Sequence, residues 1–322
     1  MKVLVTGAGG FIGGHLVGSL LADGFTVRAV DIKPLGRWHQ RHRGAENIEA
    51  DLRLRDAAFA AVSGTGSVYN LACNMGGMGF IESNKAACML NVLIDTHLLE
   101  AARHEQLESF FYASTACVYP SYLQDDPDVT ALKEADTYPA DPEDGYGWQK
   151  LFGERLCQNY GEDYGVPVRV GRYHNVYGPQ GTWDGGREKA PAAICRKVAE
   201  AVLSGRHEIE IWGDGEQTRS FCYIDDCVEG VVRAIDTPFR YEIFNLGESQ
   251  TTSLQELIEL VARHVGKEPN IDVKPLQPGD VTITYANIDK ARRMLGYNPK
   301  TGMDEGIRRF VAWYRERNTA PA

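Results

Sequence analysis

The sequence lacks a hydrophobic run long enough to cross a membrane. No window of the 322 residues reaches the ~18 consecutive apolar residues that a transmembrane helix needs. The chain opens with MKVLVTGAGG, in which a short apolar segment runs into glycines and not into the long apolar core of a signal peptide. From these two absences we expect a cytoplasmic protein with no membrane partner.

Paired cysteines and clustered metal ligands are also missing. The seven cysteines are scattered, and none forms a Cys-x-x-Cys motif. Dispersed cysteines in odd number, without an export signal, indicate reduced thiols and not a disulfide framework. Because His and Cys do not cluster at the spacing of zinc ligands, we predict no metal site.

The chain has no excess of positive charge. Its 34 Lys and Arg residues face 44 Asp and Glu residues, which gives a net charge of −10. An acidic protein binds nucleic acid and anionic membranes poorly, so we expect neither as a partner. A local cationic pocket for a phosphate-containing ligand is compatible with this balance.

What the sequence does contain is a regular alternation of strands and helices. Apolar segments such as MKVLVTG, FTVRAVDI, GSVYNLAC and SFFYASTACVY have strand character, and helical segments separate them, among them 83–104 and 144–164. This order predicts an α/β protein with a Rossmann-like, doubly wound parallel sheet.

The second half of the chain predicts a smaller α/β substrate-binding lobe. Its helical segments are 187–204, SLQELIELVARHVG and MDEGIRRFVAWYRER, while SFCYIDDCVEGVVRAI is interpreted as a return to the sheet. We therefore assign 1–178 and 222–247 to the sheet domain, and 179–221 and 248–322 to the lobe.

The segment GAGGFIG forms a glycine loop between the first strand and the first helix. Glycines at 7, 10 and 13 allow backbone amides to approach a pyrophosphate, and the helix N-terminus favours its charge. Such glycines can also form a simple tight turn. Asp31, at the end of the second strand, favours nucleotide binding and NAD over NADP, because a carboxylate accepts from a ribose hydroxyl and repels a 2′-phosphate. The nearby Lys33 and Arg37 weaken that preference.

Tyr146 and Lys150 lie four residues apart on a predicted helix and so share one face. Free tyrosine has a pKa of about 10. A neighbouring ammonium and a nicotinamide positive charge favour the phenolate, which can take a hydroxyl proton. On its own such a pair is common on protein surfaces. The glycine loop and the upstream Ala-Ser-Thr favour a catalytic interpretation.

With these motifs the chain resembles the extended short-chain dehydrogenase/reductase family over its whole length. The resemblance implies NAD as cofactor and a lobe that binds a nucleotide sugar. It also implies that Thr115 is the catalytic hydroxyl, Tyr146 the base and Lys150 the ribose-binding lysine. The cofactor-binding residues that it implies are Gly7, Gly10, Phe11, Ile12, Gly13, Asp31, Asp51, Leu52, Leu71, Tyr146 and Lys150.

Longer runs resemble the branch of this family that epimerises GDP-mannose at C3 and C5. They are NMGGMGF, SFFYASTACVYP, GRYHNVYGP, GGREKAPAAICRK and WGDGEQTRSF. This likeness implies a homodimer that converts GDP-mannose to GDP-L-galactose and also GDP-L-gulose, with Cys117 and Lys189 as an acid/base pair. The substrate-binding residues that it implies are Gly76, Met78, Asn175, Glu188, Lys189, Lys197, Gln217 and Arg219. The chain departs from the pattern at Thr282 and Thr284, where the plant-type sequences carry arginine.

A thiol beside the catalytic hydroxyl has a chemical use in such an enzyme. Oxidation of a hexose at C4 acidifies the hydrogens at C3 and C5, and inversion needs a base on one face and an acid on the other. Because Cys117 follows Thr115 by two residues, an extended strand would put both side chains on one face. A nearby cation would lower the pKa of the thiol. Two alternatives stay open, namely an epimerase acting at C3, C5 or C4 of another nucleotide hexose, and a non-catalytic dinucleotide-binding regulator.

Overall fold

The computed structural model describes residues 1–124, 131–204, 208–266, 270–274 and 283–319. The strands in that part are β1 (Lys2–Thr6), β2 (Thr26–Asp31), β3 (Glu46–Glu49), β4 (Ser67–Asn70), β5 (Ser109–Thr115), β6 (Val168–Tyr173), β7 (Val176–Tyr177), β8 (Glu208–Trp212), β9 (Thr218–Arg219), β10 (Cys222–Tyr223), β11 (Tyr241–Leu246), β12 (Thr252–Ser253), β13 (Asn270–Lys274) and β14 (Ile283–Thr284).

The helices are α1 (Phe11–Ala22), α2 (Arg55–Val62), α3 (Met78–Ser83), α4 (Lys85–Met89), α5 (Asn91–His104), α6 (Tyr146–Tyr164), α7 (Ala190–Ser204), α8 (Ile224–Ile235), α9 (Leu254–Val265), α10 (Asp289–Leu295) and α11 (Met303–Thr319). Short 3₁₀ turns cover Leu35–Arg37, Ala116–Val118, Ser121–Leu123 and Glu134–Thr137.

Seven parallel strands form the main sheet in the order β11-β6-β5-β4-β1-β2-β3. The chain adds strands outward from β1 to β3, then crosses back and adds β4 on the other side of β1. Ligands of such sheets bind at the carboxyl ends of the strands where the order reverses. The predicted α/β fold with a doubly wound parallel sheet is confirmed, and its crevice opens beyond β1 and β4.

Helices cover both faces of this sheet because their apolar residues recur at helical spacing. On one face α1 buries Leu16, Val17 and Leu20 in a cluster that also contains α8. On the other face α5 buries Leu98 and Leu99 in a second cluster with α2 and α6. Burial on both sides removes water from the strands, so polar groups concentrate at the strand ends.

Smaller sheets lie among the later segments of the chain. Strand β8 pairs with β13, and β9 lies between β12 and β14. The helices α7, α9 and α11 pack on one another beside them. The later segments thus form α/β structure outside the main sheet, and the predicted domain boundaries stay a prediction.

Three segments differ from the sequence-based expectation. The segment 220–235 contains only the two-residue strand β10 and then α8, whose buried residues recur at three- and four-residue steps, so β11 makes the return to the sheet. The helix expected over 83–104 is divided into α4 and α5. Helix α7 begins at Ala190, with Pro191 in its first turn where proline is favoured, and this leaves Lys189 in the preceding loop.

Candidate active site

The glycine loop lies between β1 and α1 and presses closely on its neighbours. Gly7 has φ +67°, and a Cβ there would lie 2.7 Å from the carbonyl oxygen of Leu71. A Cβ on Gly13 would collide with the carbonyl oxygen of Gly7. The N-cap Gly10 has no capping side chain, and the first turn of α1 carries no acidic residue. The amides of this turn can therefore face an anion, which fits the pyrophosphate of a dinucleotide.

Asp31 ends β2 and fixes the glycine loop from the side. Its Oδ2 accepts the Gly9 amide at 3.0 Å, and its Oδ1 accepts the Lys33 amide at 2.9 Å. The Lys33 ammonium donates to the Gly9 carbonyl at 3.3 Å, and burial lowers its pKa although Asp31 opposes this. The predicted ribose-binding carboxylate thus lies at the loop, next to a cation.

The remaining predicted cofactor residues lie at the starts and ends of sheet-domain elements. Phe11 and Ile12 begin α1 and are partly buried, and the Leu71 amide donates to the Thr6 hydroxyl at 3.1 Å. Leu52 is buried, whereas Asp51 pairs with Arg53 (Nη2 to Oδ2, 2.7 Å). This arginine holds the pKa of the Asp51 carboxyl below its usual range.

Tyr146 and Lys150 lie in the first two turns of α6, and both are buried. The Lys150 ammonium donates to the Ala113 carbonyl at 2.8 Å and lies 4.7 Å from the centre of the Tyr112 ring. Burial and the nearby thiol of Cys73 raise the pKa of Tyr146 well above its usual value. The expected lowering of this pKa is wrong in direction for the protein alone, because burial is the largest influence on it.

Thr115 and Cys117 meet by a route that the sequence did not predict. Strand β5 ends at Thr115, and Cys117 lies in the 3₁₀ turn that follows. The expectation that both side chains share a strand face is therefore wrong. The turn instead directs the Cys117 amide to the Thr115 hydroxyl at 3.2 Å, and a hydrogen bond between Thr115 and Tyr146 opposes the rise in the tyrosine pKa.

Lys189 lies in the loop before α7 and acts electrostatically on Cys117. Burial raises the pKa of the Cys117 thiol, and the Lys189 ammonium opposes that rise. The expected net lowering is wrong because desolvation is the larger effect. The two groups are nevertheless brought into electrostatic reach from distant parts of the chain.

Gly76 lies in the loop before α3 and Met78 begins that helix, and this segment packs on the same group of side chains. Met75, Met78 and Phe80 pack with Tyr146 and Cys117 in one apolar cluster. Across the loop, Arg187 donates to the Met75 carbonyl at 3.3 Å, and its guanidinium lies 3.7 Å from the centre of the Phe80 ring.

A glycine allows this loop to meet the segment before α7. A Cβ on Gly77 would lie 2.8 Å from the carbonyl oxygen of Glu188. We call residues 74–77 the Met-Gly loop. The close backbone approach holds this loop beside Lys189.

The other predicted substrate residues make a second group on the smaller lobe. Lys197 donates to the Glu210 carbonyl and Gln217 to the Trp212 carbonyl, each at 2.6 Å, so both gather at β8. Arg219 donates to the Thr218 carbonyl at 2.8 Å.

The last residues predicted on the substrate side lie in separate segments. Glu188 pairs with Arg196 at 3.1 Å, and Asn175 has φ +37°. Thr282 lies outside the described residues. Thr284 belongs to β14, opposite Arg219.

Two residues of the site were missed by sequence reasoning. The Cys73 thiol accepts from Asn91 Nδ2 at 3.1 Å, beside Tyr146. The Glu143 amide donates to the Cys117 carbonyl at 3.0 Å, its carboxylate accepts the Gly147 amide at 2.7 Å, and burial raises its pKa to about 7. For Glu143, the available signal was an acidic residue just before a helix that begins with the predicted catalytic tyrosine.

Comparison with known proteins assigns the chain to a family. The profile of the NAD dependent epimerase/dehydratase family matches residues 3–247. The chain belongs to this family. It is an enzyme of the NAD-dependent nucleotide-sugar epimerases, and the glycine loop and Asp31 fit that cofactor.

Several curated relatives are similar over nearly the whole chain. GDP-mannose 3,5-epimerase 1 of Oryza sativa subsp. japonica is 42% identical over 98% of this chain and 82% of its own length. GDP-mannose 3,5-epimerase of Arabidopsis thaliana is 41% identical over 98% and 83%. An uncharacterized UDP-glucose epimerase of Bacillus subtilis is 30% identical over 97% and 98%.

Solved structures of UDP-sugar epimerases share the fold. UDP-glucose 4-epimerase of Thermotoga maritima, determined with UDP-glucose, has a TM-score of 0.89 and 26% identity and covers 99% of this chain and 100% of its own. UDP-glucose 4-epimerase of Thermus thermophilus, determined with NAD, has a TM-score of 0.85 and 29% identity over 98% and 99%. Within the described residues, no helix is long and apolar enough to span a bilayer, and no three His, Cys, Asp or Glu side chains are grouped to hold a metal ion.

Proposed function

We propose that this enzyme epimerises GDP-mannose at C3 and C5 through a transient 4-keto sugar, giving GDP-L-galactose. Two relatives named for this reaction are 42% and 41% identical to the chain, against 30% for the Bacillus relative named for UDP-glucose. The observation that carries the proposal is the pairing of Cys117 with Lys189 beside Tyr146. A 4-epimerase needs no second acid/base pair.

The first step is proton removal at the C4 hydroxyl. The glycine loop and Asp31 would hold NAD, which would supply reversible hydride acceptance at C4. Tyr146 takes the hydroxyl proton, and Thr115, which hydrogen-bonds to it, orients the hydroxyl. Lys150 holds the nicotinamide ribose and favours the phenolate. The residues named above as cofactor-binding and substrate-binding are proposed in those roles.

The 4-keto sugar then exchanges protons at C3 and C5. A ketone makes the hydrogens on both neighbouring carbons acidic, so a weak base within hydrogen-bond reach can remove them. Cys117, as thiolate, takes a proton from one face of the ring, and Lys189, as ammonium, delivers one to the other. The Lys189 charge stabilises that thiolate against the effect of burial.

The direct experiment is incubation of the NAD-loaded protein with GDP-mannose in heavy water. We expect deuterium at both C3 and C5 of the recovered sugar, without accumulation of NADH. UDP-glucose serves as the matched control substrate, and position-resolved NMR reads the label. Label at only one carbon would support a single-centre epimerase, and no label from GDP-mannose would contradict the proposal.

A second candidate is a UDP-sugar 4-epimerase, favoured by the likeness to the Thermotoga and Thermus structures. Such an enzyme exchanges no carbon-bound hydrogen with solvent. It would convert UDP-glucose without deuterium uptake, and it would tolerate Cys117→Ala and Lys189→Ala.

We also propose that the enzyme is a homodimer through α4, α5 and α6. These neighbouring helices expose Leu90, Leu93, Trp148 and Phe152, with Trp148 and Phe152 one turn apart. Light scattering should give twice the chain mass for wild type and the chain mass for Phe152→Glu. Leu54→Glu, at an exposed leucine outside these helices, is the control and should stay dimeric. A wild-type monomer would refute this assembly.

A further inference from the structure

A buried carboxylate, that of Asp95, lies under the catalytic helix α6. It projects from α5 and is 1% exposed. Asp95 Oδ1 accepts from Asn70 Nδ2 at 2.9 Å, and Oδ2 accepts from the Tyr112 hydroxyl at 3.0 Å and from Gln149 Nε2 at 2.7 Å. These three contacts connect β4, β5 and α6 through one side chain.

All three groups donate to Asp95, and none of them is charged. An ionised carboxylate only accepts hydrogen bonds, whereas a protonated one also donates. Three donors around Asp95 therefore suit its ionised form. A buried charge that neutral donors alone surround is costly unless an opposite charge lies near. The arrangement therefore requires a nearby cation.

Lys150 is that cation. Its ammonium lies over the Tyr112 ring, 4.7 Å from the ring centre, and the hydroxyl of the same ring donates to Asp95. Burial raises the pKa of the Asp95 carboxyl, and the Lys150 charge is the largest influence that lowers it.

Glu154, four residues beyond Lys150 on α6, is already paired with Arg172 (Oε2 to Nη2, 2.7 Å). The other ionisable groups that interact with both Asp95 and Lys150 are uncharged. They are the thiols of Cys73 and Cys157 and the Tyr112 phenol. Burial raises the pKa of Cys73 to about 11 and places those of Cys157 and Tyr112 well above their usual values. Asp95 is therefore the carboxylate that can balance the Lys150 charge, among the described residues that interact with this lysine.

The surrounding chain is built for this contact. A Cβ on Gly153 would collide with the Tyr112 hydroxyl and lie 3.2 Å from Asp95 Oδ2, so helix α6 needs glycine there. Asn70 is oriented by the Thr6 hydroxyl, which donates to Asn70 Oδ1 at 2.9 Å. The Asp95 carboxylate is thus held between β4 and α6, which also form the cofactor crevice.

We propose that Asp95 is a positioning residue that keeps Lys150 as an ammonium aimed at the cofactor ribose. This inference rests on the role of Lys150 proposed above, but not on the identity of the sugar. Without the carboxylate, the buried ammonium loses its counter-charge, and burial without a counter-charge favours the neutral amine. A neutral amine makes weaker hydrogen bonds to a hydroxyl than an ammonium does.

The test is the affinity of Asp95→Asn for NAD⁺, measured by calorimetry from pH 6.5 to 9.5. Near pH 6.5 we expect affinity within about twofold of wild type, and near pH 9.5 a value about tenfold weaker, because charge-assisted bonds are about twice as strong as neutral ones. The alkaline limb of turnover should move to lower pH in parallel. Tyr112→Phe is the matched control, since it removes a hydrogen bond but keeps the carboxylate, and its pH dependence should follow wild type.

A loss of NAD⁺ affinity that is equal at every pH would show a merely structural role and overturn the proposal, as would an unchanged profile. Circular dichroism establishes that each variant folds, and Asp95→Ser replaces the asparagine variant if that one does not. Because the binding assay contains no sugar, a negative result here is distinguishable from failure of the heavy-water experiment. That experiment tests the substrate alone.

Discussion

The two sides of the active site are built in different ways. On the cofactor side, Lys150 and Asp31 project from regular elements and are held by hydrogen bonds to strands or to the glycine loop. On the sugar side, Cys117 lies in a 3₁₀ turn and Lys189 in a loop before α7. The parallel sheet fixes the cofactor side, whereas the sugar side depends on a turn and a loop outside the sheet.

This difference explains how one fold serves many sugars. In the proposed reaction, the groups that serve oxidation and reduction at C4 lie on the scaffold of the sheet. The proposed proton-exchanging groups lie in a turn and a loop, and such segments can change without disturbing the sheet. The following changes should separate the two sides.

The largest effect should come from Tyr146→Phe. Tyr146 is the proposed base for oxidation at C4, so its removal should impair both sides together. We expect turnover to fall about 10³-fold, within the range of general acid–base catalysis. Steady-state kinetics measures the loss, and NAD⁺ binding within about twofold of wild type would show an intact crevice. Turnover above a tenth of wild type would contradict the role of Tyr146.

Gly13→Ala should disable the cofactor side alone. The new Cβ would collide with the Gly7 carbonyl, which is backbone and cannot move aside. We expect NAD⁺ affinity to fall about 100-fold through loss of the close backbone approach. Gly36→Ala is the control because open space surrounds Gly36. Equal affinities of the two variants in calorimetry would refute the assignment of the loop.

Arg187→Leu should weaken the sugar side alone. It removes the contacts that join the Met-Gly loop to the segment before α7, so the proposed sugar pocket loses its shape and the substrate binds more weakly. We expect KM for GDP-mannose to rise about tenfold with NAD⁺ affinity unchanged. Arg55→Leu is matched, since Arg55 lies 4.2 Å from the Phe59 ring centre on α2. A fall in NAD⁺ affinity in Arg187→Leu would contradict the separation.

The smallest effect should come from Glu143→Gln, in stability. The folded pKa of Glu143 is about 7, while an unfolded glutamate titrates near ~4.3. The folded state therefore binds more protons between these values, and wild-type stability falls as pH rises through that window. After discounting for partial exposure, the loss is about 1 kcal/mol, or about 2–4 °C in Tm. The variant should melt higher than wild type at pH 8 and equally at pH 4.

A Tm difference between Glu143→Gln and wild type that is the same at both pH values would show that this carboxyl does not titrate as described. The groups that face Glu143 are Glu82, Asp144 and Lys85, together with the thiols of Cys88 and Cys117. Glu82 and Asp144 act to raise its pKa, and Lys85 to lower it. Buffers of constant ionic strength keep these contributions fixed.

The cofactor side could be predicted from the sequence because its signals are local. The glycine loop, Asp31 and the Tyr146–Lys150 pair each lie within one short segment of known direction, and the parallel sheet followed from strands alternating with helices. The wrong expectation for Cys117 arose because nothing in SFFYASTACVY marks the end of the strand at Thr115.

The rest of the site depends on contacts between distant segments. Asp95 meets donors from three other elements, and in the sequence it is one acidic residue in a helix. Burial reversed the expected pKa directions of Tyr146 and Cys117, and burial is a property of the assembled fold. Cys73 gave no signal, since its partner Asn91 is 18 residues away.

The most direct test of the proposed chemistry is a single-turnover experiment on Cys117→Ala, loaded with NAD⁺ and mixed with GDP-mannose in heavy water. Absorbance at about 340 nm follows reduction of the nicotinamide, and NMR follows deuterium at C3 and C5. We predict that reduction persists while deuterium entry falls at least about 100-fold, as expected for loss of a general base. Deuterium entry at the wild-type rate would contradict this chemistry, because the sulfur would then have no part in inverting the sugar.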